Sequence, residues 1–383
     1  MKDKNASKVI QEIVKSTSVD EKNRLLEKIK NQGLPLIENY DKSNSVVTVL
    51  FFGDDTINTV SVFGELFGTN EPVYMTKIEG TDVYYRSFIF PNDSRSLYVF
   101  FINELDDQEL EDIDVRIDPY NAKVKICTSD PGFPNEYATL FREESILELP
   151  NCRVSFKHDK LLNRNVIEDS AIFNEKNRRF WIYSKTPTPT MLLIFFDGYE
   201  YLHETSSLQI IDELDEDVMC LFLDNRADRM GDLLYNDHYV SYIEKSVFPK
   251  AASLFPLPQK KVLVGFSLGA NLALYMTLKY NYNSAILQSG AFYYNDEIIK
   301  EHFLFDLMSN QKKQDIILYI SNGRLEREFT EFYKEILLIK DKSFNKEFIT
   351  YAEHPGGHTY FDCDFTLKNG IEFFCKKTSN NPK

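Results

Sequence analysis

An α/β fold built on a mostly parallel sheet and preceded by a β-rich, sandwich-like N-terminal domain is predicted from three observations. The chain has 383 residues and 43 % apolar content, enough for two cores. Short β-branched and aromatic runs crowd its first part, a spacing that points to antiparallel strands. In its later part, apolar runs alternate with helical patterns, the rhythm of a parallel sheet covered on both faces.

The elements follow in order. Val9, Ile10, Ile13, Val14, Leu25, Leu26 and Ile29 recur at spacings of three and four on either side of Ser16–Asp20, which predicts two short amphipathic helices over 5–32. Strands are expected at Val46–Phe52, Thr59–Phe63, Val83–Phe90 and Leu97–Ile102, and the acidic stretch Glu104–Asp114 reads as a solvated loop or strand edge. Residues 151–178 are polar and hold the expected connection, giving domains at 1–165 and 166–383. Beyond it, strands are expected at Phe180–Tyr183, Met191–Phe196, Val218–Leu223, Lys261–Val264, Ser284–Gln288 and Asp315–Ile320. Helices are expected at Asp237–Phe248, Ala270–Tyr280 and Glu328–Lys340.

Composition excludes several classes. The 59 acidic and 44 basic residues give a net charge of −15, which argues against nucleic-acid and anionic-membrane partners. Met1–Lys15 is polar and charged, unlike a secretory leader, and no apolar run approaches the ~18 residues that span a bilayer. The expected location is the cytoplasm. Cys127, Cys152, Cys220, Cys363 and Cys375 lack C-x-x-C spacing and are odd in number, as reduced thiols are, so neither disulfides nor a zinc site are expected.

The strongest local signal is Gly265-Phe266-Ser267-Leu268-Gly269, set between an apolar run and a helical pattern. A serine at a sharp strand-to-helix turn projects its hydroxyl above the sheet, and flanking glycines let the backbone pack closely; this is the nucleophile elbow of an α/β-hydrolase. The bland alternative is a glycine-rich turn whose serine caps the helix. The helix start offers N–H groups to a developing oxyanion, Leu268 first. In this fold the acid and then the histidine follow the serine. His302, His354 and His358 lie downstream; His358, in Pro355-Gly356-Gly357-His358, is the choice, since glycines suit a loop that presents an imidazole. His354 and His358 without further ligands make a poor metal set. Glu326 in Gly323-Arg324-Leu325-Glu326 is the favoured acid, against its reading as a first-turn helix residue, with Asp296 and Asp315 behind it. Gly198, in Asp197-Gly198-Tyr199, is the candidate for the second oxyanion amide, against an ordinary tight turn.

These residues resemble the enterochelin esterase family of ferric-siderophore esterases, within the esterase D group. The likeness is carried by Leu193–Gly198, Leu223-Asp224, Arg229–Leu233, Asn236, Val247-Phe248-Pro249, Gly265–Gly269, Gly323–Glu326 and Gly356–His358. In the first part it is carried by Gly33–Glu38, Val47–Gly53, Gly80–Tyr85, Asp118–Asn121 and Glu148–Pro150. Asp232 stands where the family usually has Glu, Tyr84 where it has Trp, and Thr359-Tyr360 where it has Asp-Trp.

The resemblance implies a serine esterase that opens ester bonds of a siderophore and frees its iron in the cytoplasm, with no cofactor of its own. An anionic ferric catecholate calls for local cations: Arg229 first, then Arg226, Arg324 and Arg327. Arg229 could equally pair with Asp232. The N-terminal domain is expected to wall the substrate cleft. Two other readings stand beside this one: a general carboxylesterase of small acyl esters, and a catalytically silent siderophore-binding protein.

Overall fold

The computed structural model describes residues 7–64, 68–104, 112–126, 143–153, 164–292, 303–309, 316–326 and 349–379, with the single residues 109, 334 and 337. The chain divides into two compact units, Met1–Ser155 with Pro355–Gly357, and Phe156–His354 with His358–Lys383.

The first unit opens with α1 (Lys8–Lys15) and α2 (Val19–Gln32). Each begins at a serine whose hydroxyl accepts a first-turn amide, Ser7 from Ile10 and Ser18 from Glu21, which satisfies donors that have no helical partner. Ile10, Ile13, Leu26 and Ile29 line their inner faces and pack with Leu34, Leu50, Ile78 and Val83. Ten strands follow: β1 (Leu36–Asn39), β2 (Asn44–Phe52), β3 (Val60–Gly64), β4 (Gly68–Tyr74), β5 (Thr76–Lys77), β6 (Val83–Pro91), β7 (Arg95–Ile102), β8 (Asp114–Arg116), β9 (Val124–Ile126) and β10 (Glu143–Glu148). They form two antiparallel sheets, β1-β2-β6-β5 and β4-β3-β7-β10-β9, with β8 added to β7. Period-two alternation supplies the layer between them: Val47, Val49 and Phe51 from β2 meet Tyr98, Phe100 and Ile102 from β7.

The second unit runs β11 (Ile167–Phe173), β12 (Lys176–Ser184), β13 (Met191–Phe195), α3 (Gly198–His203), α4 (Ser207–Asp212), β14 (Val218–Leu223), α5 (Arg229–Leu233) and α6 (Asp237–Tyr242). It continues with α7 (Phe248–Leu254), β15 (Lys260–Phe266), α8 (Leu268–Lys279), β16 (Ser284–Gln288), α9 (Phe303–Ser309), β17 (Ile317–Gly323), β18 (Ile349–His354) and α10 (Tyr360–Ser379). The sheet order is β11-β12-β14-β13-β15-β16-β17-β18. β11 and β12 are antiparallel, and the six strands from β14 to β18 in that order are mutually parallel. This is the α/β-hydrolase arrangement. Every residue of β13, β14 and β16 is buried, because helices cover both faces and leave no polar side to alternate with. Two apolar layers result, one around Ile194, Leu263 and Leu272, the other around Leu193, Val264 and Leu367.

The helix expected over Asp237–Phe248 extends to Leu254 through a wide π turn at Ile243–Val247. There the Phe248 N–H bonds Ile243 O, five residues back. Pro249 has no N–H, and its ring clashes with a regular preceding turn, so the helix widens ahead of it. Of the expected helix Glu328–Lys340 only Lys334 and Leu337 are described, both helical; Cys127, Asp296, His302, Asp315 and Arg327 lie outside the described residues. No described helix is long and apolar enough to cross a membrane.

Candidate active site

Parallel strands end on one edge of the sheet, and ligands of open α/β sheets bind beyond that edge. The candidate residues lie there, in the turns that follow β13, β15, β17 and β18. Ser267 joins β15 to α8 with φ 53° and ψ −120°, a conformation that costs a non-glycine residue on the order of 1–3 kcal/mol. The turn persists because its surroundings dictate it: the Ser267 N–H bonds Gln288 O at 3.0 Å, and Ser267 O receives Ala270 and Ala291. Space requires glycine at 265 and leaves little room for a side chain at 269. A Cβ at Gly265 would lie 2.2 Å from the Gly269 backbone, and one at Gly269 would lie 3.2 Å from Phe196 Cβ and 3.3 Å from Asp197 Oδ2.

His358 Nε2 is 3.1 Å from Ser267 Oγ, and its Nδ1 is 3.0 Å from Glu326 Oε2. A neutral imidazole with its proton on Nδ1 fits both contacts, donating to the carboxylate and accepting from the hydroxyl. The ring also packs on Phe266, 4.7 Å between centroids. Glu326 is fully buried; its Oε1 accepts from Ser289 Oγ at 2.7 Å and from the Gly323 N–H. Ser289 was not a candidate from sequence. It is a buried residue at φ 47° just after β16, and no local pattern ties it to a carboxylate 37 residues on.

Leu268 and Gly198 are the first residues of α8 and α3, so their N–H groups have no intrahelical acceptor. Gly198 is glycine for a reason the sequence did not suggest: a Cβ there would lie 2.4 Å from the backbone of Phe222 and Leu223 in β14. The glycine lets α3 pack on its neighbouring strand.

The arginines differ from the sequence reading. Arg229 does not pair with Asp232; it grips Asp197 with two parallel bonds of 2.8 Å, from Nε to Oδ1 and from Nη2 to Oδ2. Asp232 is held by Arg178 and by Asn225. Arg226, expected to meet substrate, has a buried side chain that pairs with Asp224 and lies 3.4 Å above the Tyr199 ring centroid. Arg324 is exposed, two residues before Glu326, with its N–H on His354 O. His354 is buried and stacks on Phe365. Among the described residues no group of three His, Cys, Asp or Glu side chains is placed to hold a metal ion.

A hydroxyl, an imidazole and a buried carboxylate in series can make an alkoxide and shuttle its proton, which is the chemistry of acyl transfer. Residues 185–368 match the family described as "Putative esterase". No curated protein matches the chain in sequence. Among solved structures, it resembles the ferric enterobactin esterase of Salmonella typhimurium with a TM-score of 0.73 and 18 % identity, over 91 % of this chain and 98 % of that one. The enterochelin esterase of Shigella flexneri aligns with a TM-score of 0.73 and 16 % identity, over 92 % and 98 %. The Shigella flexneri enterobactin esterase in the presence of enterobactin aligns at 0.69 and 18 %, over 90 % and 96 %. At such identities the likeness establishes the fold.

Proposed function

We propose that the protein is a serine ester hydrolase acting on a ferric siderophore in the cytoplasm, since residues 185–368 match an esterase family and include Ser267, Glu326 and His358. The observation that carries the first half is the unbroken contact series from Ser267 Oγ through His358 to Glu326.

In this mechanism Ser267 attacks the ester carbonyl as His358 Nε2 takes its proton. Glu326 holds the imidazole by Nδ1 and offsets the charge it acquires. The Leu268 and Gly198 amides face the oxyanion, each such donor being worth about 10²–10³ in turnover. His358 then protonates the leaving alcohol and deprotonates the water that frees the acyl group.

The siderophore half is supported by a fold likeness to enterobactin esterases that spans over nine-tenths of the chain, the β-rich unit included. Arg229, about one-third exposed, and the exposed Arg324 supply positive charge for an anionic catecholate. Iron arrives as cargo of the substrate.

The test is mass spectrometry of products after incubating wild type and Ser267→Ala with ferric and iron-free catecholate trilactone. Wild type should yield linear fragments, and the variant at least about 10³-fold fewer. Hydrolysis of nitrophenyl esters without cleavage of the lactone would retain the esterase and reject the siderophore.

A further inference from the structure

The loop after β13 and the turn that carries His358 share one anchor. Asp197, the residue before Gly198, has a positive φ of 53° and a side chain 1 % exposed. Its N–H is fixed on Asn225 Oδ1 at 2.9 Å. Its carboxylate takes the two Arg229 bonds, and its Oδ2 also accepts the Tyr360 hydroxyl at 2.6 Å. Arg229 Nη2 in turn reaches the Tyr360 oxygen at 3.4 Å. Burial and the Asp197 charge raise the Tyr360 pKa well above the ordinary phenol value, so the hydroxyl stays a donor.

Tyr360 begins α10 two residues after His358. Its ring lies 4.6 Å from Phe266, the residue before the nucleophile, and Phe266 packs in turn on the His358 ring. Tyr201 of α3 also meets the Tyr360 ring edge-on, with 5.8 Å between centroids. The absence of a side chain at Gly269 leaves Asp197 Oδ2 its place beside the elbow.

We propose that Tyr360 is a positioning residue whose hydroxyl, anchored on the Asp197–Arg229 ion pair, sets the backbone of the His358 turn against the backbone that presents the Gly198 amide. The proposal rests on Ser267 being the nucleophile. Its logic is geometric. The Glu326 bond orients the imidazole but leaves the height of its turn above the sheet to backbone contacts. A bond two residues on, to a charge locked by a two-pronged arginine, fixes that height. Base and oxyanion donor are then placed by one shared contact, in a reaction where a displacement of about 1 Å costs on the order of 10²-fold.

Tyr360→Phe keeps the ring and removes the hydroxyl. With p-nitrophenyl butyrate, kcat should fall about 10-fold or more while KM stays within about two-fold, since the group acts through His358 and meets no substrate. Tyr98→Phe removes a comparable buried hydroxyl, one bonded to Asp118 in the first unit; it should lower the unfolding midpoint and leave kcat alone. Asp197→Ala, which leaves the Tyr360 hydroxyl no acceptor at that position, combined with Tyr360→Phe should lose no more kcat than Asp197→Ala alone. A Tyr360→Phe enzyme with wild-type kcat, or with a change confined to KM, overturns the proposal. A wild type that neither turns over esters nor is labelled at Ser267 by a fluorophosphonate rejects the nucleophile, and the proposal with it.

Discussion

Ser289→Ala removes a single oxygen from the support of Glu326. The backbone there is fixed independently, its N–H bonding Ser321 O at 2.7 Å, and alanine keeps the same Cβ. What disappears is the 2.7 Å bond from Ser289 Oγ to Glu326 Oε1, one of the bonds that hold a carboxylate wholly removed from solvent; the Gly323 N–H and His358 Nδ1 remain. A hydrogen bond to a charged group is worth about 1.5–3 kcal/mol. If that whole difference is felt when the imidazolium forms, it corresponds to about 10–150-fold in rate at 1.36 kcal/mol per decade. Removing the acid altogether costs about 10⁴-fold in well-studied triads, which bounds the effect from above. Steady-state hydrolysis of p-nitrophenyl butyrate should therefore show kcat reduced about 10–100-fold with KM within about two-fold. A kcat within two-fold of wild type, beside a Glu326→Gln variant reduced more than about 10²-fold, would refute the reasoning: the carboxylate would then be oriented by the Gly323 N–H and by burial.

Gly265→Ala should be more damaging to folding than any conservative change in the elbow, because the new methyl would sit 2.2 Å from the Gly269 carbonyl group and neither backbone can yield; a loss of roughly 1–3 kcal/mol or more is expected in urea unfolding, and a wild-type midpoint would contradict it. Glu200 gives a pH test. Burial first, then the Asp197 charge, raises its carboxyl to about 8 from a reference value of 4.5. The folded protein therefore holds a proton that the unfolded chain releases across that interval. Stability on this account is fully present below about 4.5 and is lost as pH rises towards 8. Glutamine cannot ionise, so the unfolding midpoint of Glu200→Gln should exceed that of wild type by a margin that widens from pH 5 to pH 8; a constant margin would remove Glu200 as the cause.

Much of the fold was legible because its causes are local. Val47, Val49 and Phe51 of β2 face the second antiparallel sheet while Leu50 faces the two N-terminal helices, and β13 is buried at every position, so in both units it was the short apolar runs that marked the strands. The elbow was legible too: a strand, two glycines around a serine and a helix are contiguous in the chain, and their geometry follows from backbone sterics. Glu326 and His358 could be chosen by their order and their loops, and the structure sets His358 on Ser267 and Glu326 on His358.

What the tertiary structure alone decided are pairings between residues remote in sequence. Arg229 binds Asp197, 32 positions away, and leaves its near neighbour Asp232 to Arg178. Tyr360 reaches Asp197 across 163 positions. Arg226 lies over Tyr199, and Ser289 donates to Glu326. Periodicity and turn chemistry record what the backbone does within a few residues. The choice among several arginines for one carboxylate depends on which strands lie side by side. In this chain β13 is flanked by β14 and β15, and that neighbourhood, set by packing of the whole sheet, determines which side chains meet above it.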